Sequence, residues 1–177
     1  MLSHELEDLT LLLIRDTDEA EMWIDRWALS YPVVRTAAAS SGQSITEWQC
    51  GIQTAFDGIR SDHIAVVAHG AGVSAFIAWL YQTDILTQKR IRNIILVSPL
   101  LEAFPDDAQH TLQRVRCPCR TALVVGTGAD AVSHEWAQRQ ADTWRARLLV
   151  SPHAGRLNGA LGGWQWGMKL MQEMLLS

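Results

Sequence analysis

The run Ile64–Ala68 is apolar at every position. That one feature narrows the folds open to this chain. A strand with one wet face alternates apolar and polar residues, whereas a strand without alternation is covered on both faces. Both faces are covered when helices flank a largely parallel sheet. The rest of the chain has the same rhythm. Strand-length segments fall at Leu9–Ile14, Pro32–Ala37, Ile91–Val97, Ala122–Val125 and Arg147–Val150. Helix-period stretches lie between or after them at Asp18–Leu29, Ser44–Ile59, Gly72–Tyr81, Ser133–Trp144 and Trp164–Leu176. Ser44-Ile45-Thr46-Glu47 is a capping-box pattern that marks a helix start. Residues 100–118 read as one long polar connection. Alternating strands and helices predict a three-layer α/β/α sandwich with about five to six mostly parallel strands. There is no internal repeat and no Gly-, Ser- or Pro-rich linker, so residues 1–177 are expected to form a single α/β domain.

Composition excludes several function classes. The formal net charge is -4 and only 19% of the 177 residues are charged, so neither disorder nor a basic nucleic-acid footprint is expected. No apolar run reaches the ~18 residues of a membrane span, so no membrane partner is expected. Met1 to Glu7 lacks the basic start of a signal peptide. Three cysteines without a secretion signal read as reduced thiols and a cytoplasmic location. Cys117-Pro118-Cys119 reads as a proline-containing entry to the next strand, because no further ligands stand at zinc spacing. His4, His63, His110 and His134 read as surface or loop residues. Neither a metal nor a cofactor is expected. The eight tryptophans are many for this length. Most should pack in the core. Trp164 and Trp166 stand two apart, so one of them is a candidate for an exposed partner site.

In open α/β sheets, chemistry sits at the carboxyl ends of strands. After Ile64–Ala68 comes His69-Gly70-Ala71-Gly72-Val73-Ser74, a strand–turn–helix of the kind that carries a nucleophile elbow. After Ala122–Val125 comes Gly126-Thr127-Gly128-Ala129-Asp130. After Arg147–Val150 comes Ser151-Pro152-His153-Ala154-Gly155-Arg156-Leu157-Asn158. In these motifs the chain resembles the small serine hydrolases related to retinoblastoma-binding protein nine, which are α/β-hydrolases without a lid. Their elbow reads roughly V-A-H-S-L-G, matched by Val67 to Gly72. Their acid lies in V-V-A-S-x-D-D-P, matched by Val124 to Ala131. Their histidine lies in A-G-H-I-N, matched by Ala154 to Asn158, with Gly162-Gly163-Trp164 after it.

The departures from the family pattern matter as much as the matches. The resemblance puts the nucleophile at Gly70, which has no side chain, and the base at Arg156, which cannot take up a proton. Only the acid, Asp130, remains. The family's Pro-Gly turn after the first strand is replaced by Arg15-Asp16. The resemblance therefore implies a catalytically degenerate hydrolase fold that acts by protein or ligand binding, with Asp130 and Arg156 tied as an ion pair. A first alternative is an esterase or amidase of small substrates with a non-standard nucleophile, built from Ser74, His153 and Asp130. Against it, a serine inside a helix usually bonds the carbonyl four residues back. A second alternative is an anion or phosphate site at the glycine turn, made by His69, Gly70, Ala71, Gly72 and Arg156. Gly70 to Ala75 also matches the dinucleotide pattern G-x-G-x-x-A, but no acidic residue follows where a ribose would need one. His69 is expected to support the turn. A protein partner, a homodimer or a small anionic ligand would fit these readings.

Overall fold

The apolar run at Ile64 becomes β3 (Ile64–His69), and every residue of it is buried. The computed structural model describes residues 8–100, 106–159 and 161–177; His4 lies outside them. The other strands are β1 (Thr10–Asp16), β2 (Val34–Ala39), β4 (Ile91–Val97), β5 (Arg120–Thr127) and β6 (Arg147–Ala154). They form one sheet in the order β2-β1-β3-β4-β5-β6, parallel at every pairing. The helices are α1 (Trp23–Ser30), α2 (Ile45–Asp57), α3 (Ala71–Gln82), the single turn α4 (Ile85–Gln88), α5 (Asp106–Leu112), α6 (His134–Trp144) and α7 (Gln165–Leu176).

Two cores sandwich the sheet. On one face, α2, α3 and α6 bring Trp48, Phe56, Phe76, Trp79 and Trp144 against Leu12, Val66 and Leu96. On the other, α1 and α7 bring Trp23, Trp27 and Met171 against Leu13, Val67 and Val97. Six of the eight tryptophans are fully buried. Trp164 is one of these, and Trp166 is half-buried against it. The exposed tryptophan considered for a partner site is therefore absent from that pair.

Local chemistry sets the element starts. The capping box forms as the pattern predicts: Glu47 N donates to Ser44 Oγ at 3.1 Å and Ser44 N to Glu47 Oε1 at 3.2 Å. By contrast, α1 begins at Trp23 and not at Asp18. The Asp16 carboxylate accepts from Asp18 N at 2.8 Å, and Arg15 Nη2 donates to the carbonyls of Glu19 and Ala20. These bonds hold residues 16–20 as a turn, and Asp25 then starts the helix by accepting from Met22 N at 2.9 Å. The stretch read as one connection contains α5, and α4 is also an addition; both are too short for periodicity to reveal. Among the described residues no helix is long and apolar enough to cross a membrane.

Candidate functional site

β1 lies between β2 and β3, so consecutive crossovers leave β1 in opposite directions. In open α/β sheets such a reversal, at the carboxyl ends of the strands, is where ligands bind. There, β3 runs through Gly70 directly into α3. Gly70 has φ +58° and ψ −125°, a conformation that side-chain-bearing residues rarely adopt. Gly70 N donates to Val97 O at 3.1 Å, and Val73 N donates to Gly70 O at 3.1 Å. Gly72 lets the helix start close to β1, since a Cβ there would stand 2.5 Å from Ile14 O. The backbone is a strained strand-to-helix turn of nucleophile-elbow form.

The side chain in this turn comes from β1. Asp16 is 1% exposed. Its Oδ2 accepts from Ala71 N at 2.8 Å and its Oδ1 from Asp18 N at 2.8 Å. A Cβ on Gly70 would lie 2.5 Å from Asp16 Oδ2 and 3.1 Å from Asp16 Cβ. The carboxylate thus fills the space a residue-70 side chain would need. It also takes the amide that, in an elbow, would face a developing oxyanion. Negative charge at the start of α3 is favoured by the helix dipole. At the glycine turn expected to take an external anion, Ala71 N holds a carboxylate of the chain itself.

His69 is buried beside Trp23, and its Nε2 lies 2.9 Å from the Arg156 carbonyl. Burial lowers its pKa, outweighing the Arg156 carbonyl bond and the charges of Glu19 and Asp16, which raise it. The neutral ring donates Nε2–H to that carbonyl, while Nδ1 has no partner. Two indoles hold the same loop. Trp23 Nε1 donates to Leu157 O at 2.8 Å, and Trp27 Nε1 to Gly163 O at 2.8 Å. Asn158 Nδ2 donates to Glu19 Oε2 at 2.7 Å. The loop after β6 is therefore latched to the end of β3 and to the segment around α1.

Asp130 is exposed on the loop after β5, and Arg156 is half-buried. The ion pairs found among the described residues are Arg15–Asp25 and Arg90–Asp62. The expected Asp130–Arg156 pair is not formed: Asp130 is solvated, and the late loop is held by ring N–H donors instead. Ser74 lies fully buried within α3, and its Oγ has no partner, not even the Gly70 carbonyl one turn back. His153 Nδ1 pairs with Ser151 Oγ at 2.9 Å. No hydrogen bond joins Ser74, His153 and Asp130, so the alternative triad is not assembled. Among the described residues no group of three or more His, Cys, Asp or Glu could hold a metal ion. Burial pushes the Cys117 and Cys119 thiols up to about 11 and about 12, which leaves both protonated and poorly reactive at neutral pH.

Two residues escaped the sequence reading. Asp16 was seen only as a departure from a family turn. The available signal was an acidic residue directly after a buried strand. Ser98 directly follows β4, whose last carbonyl accepts from Gly70 N, and has φ +46° and a buried, unpartnered Oγ. Nothing in the sequence marks that strain.

Comparison with known proteins agrees with this fold. A family model described as serine hydrolase matches residues 15–173, and the chain belongs to that family. Its structure is similar to that of a protein from Pectobacterium atrosepticum described as a YdeN-like hydrolase, with a TM-score of 0.80 at 20% identity over 97% of this chain and 93% of that one. The ydeN gene product of Bacillus subtilis gives a TM-score of 0.70 at 13% identity, over 95% and 99% of the two chains. The carboxylesterase CesB of Bacillus subtilis gives 0.63 at 12% identity, over 94% and 83%. At these identities the likeness establishes the α/β-hydrolase fold. No curated protein matches the sequence significantly.

Proposed function

We propose that this chain is a degenerate member of the serine hydrolase family, of the kind related to retinoblastoma-binding protein nine, and that it acts by binding a protein or a small ligand and not by hydrolysis. One observation carries the reading: the Asp16 carboxylate stands where the nucleophile's side chain would be and bonds the Ala71 amide. A substrate carbonyl entering this turn would meet a fixed negative charge in place of a nucleophile and an empty oxyanion site. Arg156 at the base position, with its carbonyl held by His69, adds no proton acceptor. The three free thiols fit a reducing, cytoplasmic setting.

A fluorophosphonate probe with mass mapping, together with a nitrophenyl-ester assay, tests this. The chain is expected to take no label and to show no turnover above buffer. Stoichiometric labelling of any serine, abolished when that serine is replaced by alanine, would overturn the proposal. Repairing the site requires three changes together, Asp16→Gly, Gly70→Ser and Arg156→His, because a serine at position 70 has no room while Asp16 remains.

A further inference from the structure

In a parallel sheet wound on both sides, every strand start and every helix end falls at one end of the domain. Here that is the end opposite Gly70. Asn93 is in register with Arg120, and Ala122 with Arg147. Arg92, Arg120 and Arg147 therefore stand at the starts of three adjacent strands, Arg120 and Arg147 on one sheet face and Arg92, one residue before the partner of Arg120, on the other. Arg116 and Arg145 lie on the segments entering β5 and β6, which Cys117 N joins to Trp144 O at 2.9 Å. All five are exposed, and none is in an ion pair.

The described acids at this end, Asp8 before β1 among them, keep their charge but are fewer than the basic side chains. Asp62 pairs with Arg90, Asp84 caps Thr87 N, Asp57 accepts from Gln53 and Asp142 accepts from Gln138. Glu173 borders a shallow recess with Arg120 and Arg147. At the opposite end, Asp16, Asp18, Glu19, Glu21 and Asp25 crowd one loop and the start of α1. Among the described residues, charge is thus divided between a basic end and an acidic end.

The basic end also carries the exposed apolar side chains. Ile85 and Leu86, 70% and 78% exposed, form the turn that leads to Lys89 and Arg92. Leu29, Val33, Tyr81 and Leu176 are exposed at the same end, and among the described residues Val150 lies elsewhere. Helix dipoles account for a cation after a helix, as at Arg145. They do not account for arginines at three adjacent strand starts or for bare aliphatic side chains beside them. A nucleic-acid backbone rewards the cations, but it rewards aromatic platforms more than Ile and Leu. An anionic lipid surface rewards both, with arginines at the headgroups and aliphatic side chains at the acyl boundary. We propose that this end of the domain docks on an anionic membrane surface.

The test is sedimentation of the full chain with vesicles of phosphatidylcholine alone or mixed with phosphatidylglycerol. Binding is expected only to the mixed vesicles, and it should weaken as salt rises. Arg92→Gln, Arg120→Gln and Arg147→Gln together should reduce it by about 100-fold, at roughly fivefold per basic side chain. Ile85→Ser with Leu86→Ser should reduce it further, whereas Arg26→Gln with Lys169→Gln, near the other end, should leave it unchanged. All these residues are exposed, and circular dichroism checks that the variants fold. Equal binding to both vesicle types would overturn the proposal, as would undiminished binding by the triple arginine variant. Failure to bind vesicles while duplex or single-stranded DNA binds in the same salt would overturn it in favour of nucleic acid.

Discussion

Putting a serine back at position 70 should destabilise the protein, and Asp16 should be the reason. The new Cβ would stand 2.5 Å from Asp16 Oδ2. Asp16 has little freedom to recede, because it is the last residue of β1, in register with Ala39 on β2. Its carboxylate must rotate away from Ala71 N and Asp18 N, both now at 2.8 Å. Hydrogen bonds to a charged group contribute about 1.5–3 kcal/mol each. Holding a non-glycine residue at positive φ costs about 1–3 kcal/mol more. Gly70→Ser should thus cost about 4 kcal/mol or more, a large share of the ~5–15 kcal/mol that holds a domain folded. At ~2–4 °C per kcal/mol for a chain of this size, Tm should fall by about 10 °C or more. In an Asp16→Ala background the two hydrogen bonds are already gone, so the same serine should cost only the backbone strain, about 1–3 kcal/mol. Urea unfolding of the parent, both single variants and the double variant closes the cycle. The double variant should be more stable than the single costs add up to, by about 3 kcal/mol or more, the worth of the two hydrogen bonds. Additivity to within ~0.5 kcal/mol, or a Gly70→Ser protein as stable as the parent, would refute the steric and electrostatic argument.

Three further outcomes follow from the same region. His69 is neutral in the folded chain with a lowered pKa, so below ~6.5 the unfolded chain binds the extra proton and stability falls with falling pH, by up to ~1.4 kcal/mol per unit; His69→Gln should flatten that slope in acid titrations of unfolding, and an unchanged slope would refute it. Ser74→Ala removes a buried hydroxyl that has no partner and should leave stability unchanged or raise it by about 1 kcal/mol, so a clear loss in thermal melts would show a bond that the geometry lacks. Trp23→Phe keeps the ring packing but strips the Leu157 carbonyl of its donor; it should cost about 1–3 kcal/mol and speed proteolysis within residues 155–163, and equal cleavage rates would argue against the latch.

Much of the fold was legible because its signals are local. An apolar run without alternation, as at Ile64–Ala68, indicates two-sided cover wherever it occurs. Ser44 and Glu47 close a capping box three residues apart. The sequence pattern starts α1 five residues early, at Asp18, because the turn at Asp16–Ala20 depends on the Arg15 side chain, which hydropathy does not see. The site was half legible. Residue identity gives glycine at 70 and arginine at 156, and only the resemblance sets them at the nucleophile and base positions. The Asp130–Arg156 pair was inferred from that pattern and failed, because the latching donors come from Trp23, Trp27 and His69, far off in the chain.

The sequence by itself determined the order of elements, the two-sided sheet and the glycine at the strand-to-helix turn, since each is a property of neighbouring residues or of one residue's chemistry. Only the tertiary structure decided what lies against Gly70. Asp16 reaches Ala71 across 55 residues because β1 and β3 are neighbours in the sheet, and no local pattern encodes that adjacency. It decided the charge distribution as well. Arginines scattered through the chain gather at one end because parallel winding places every strand start there.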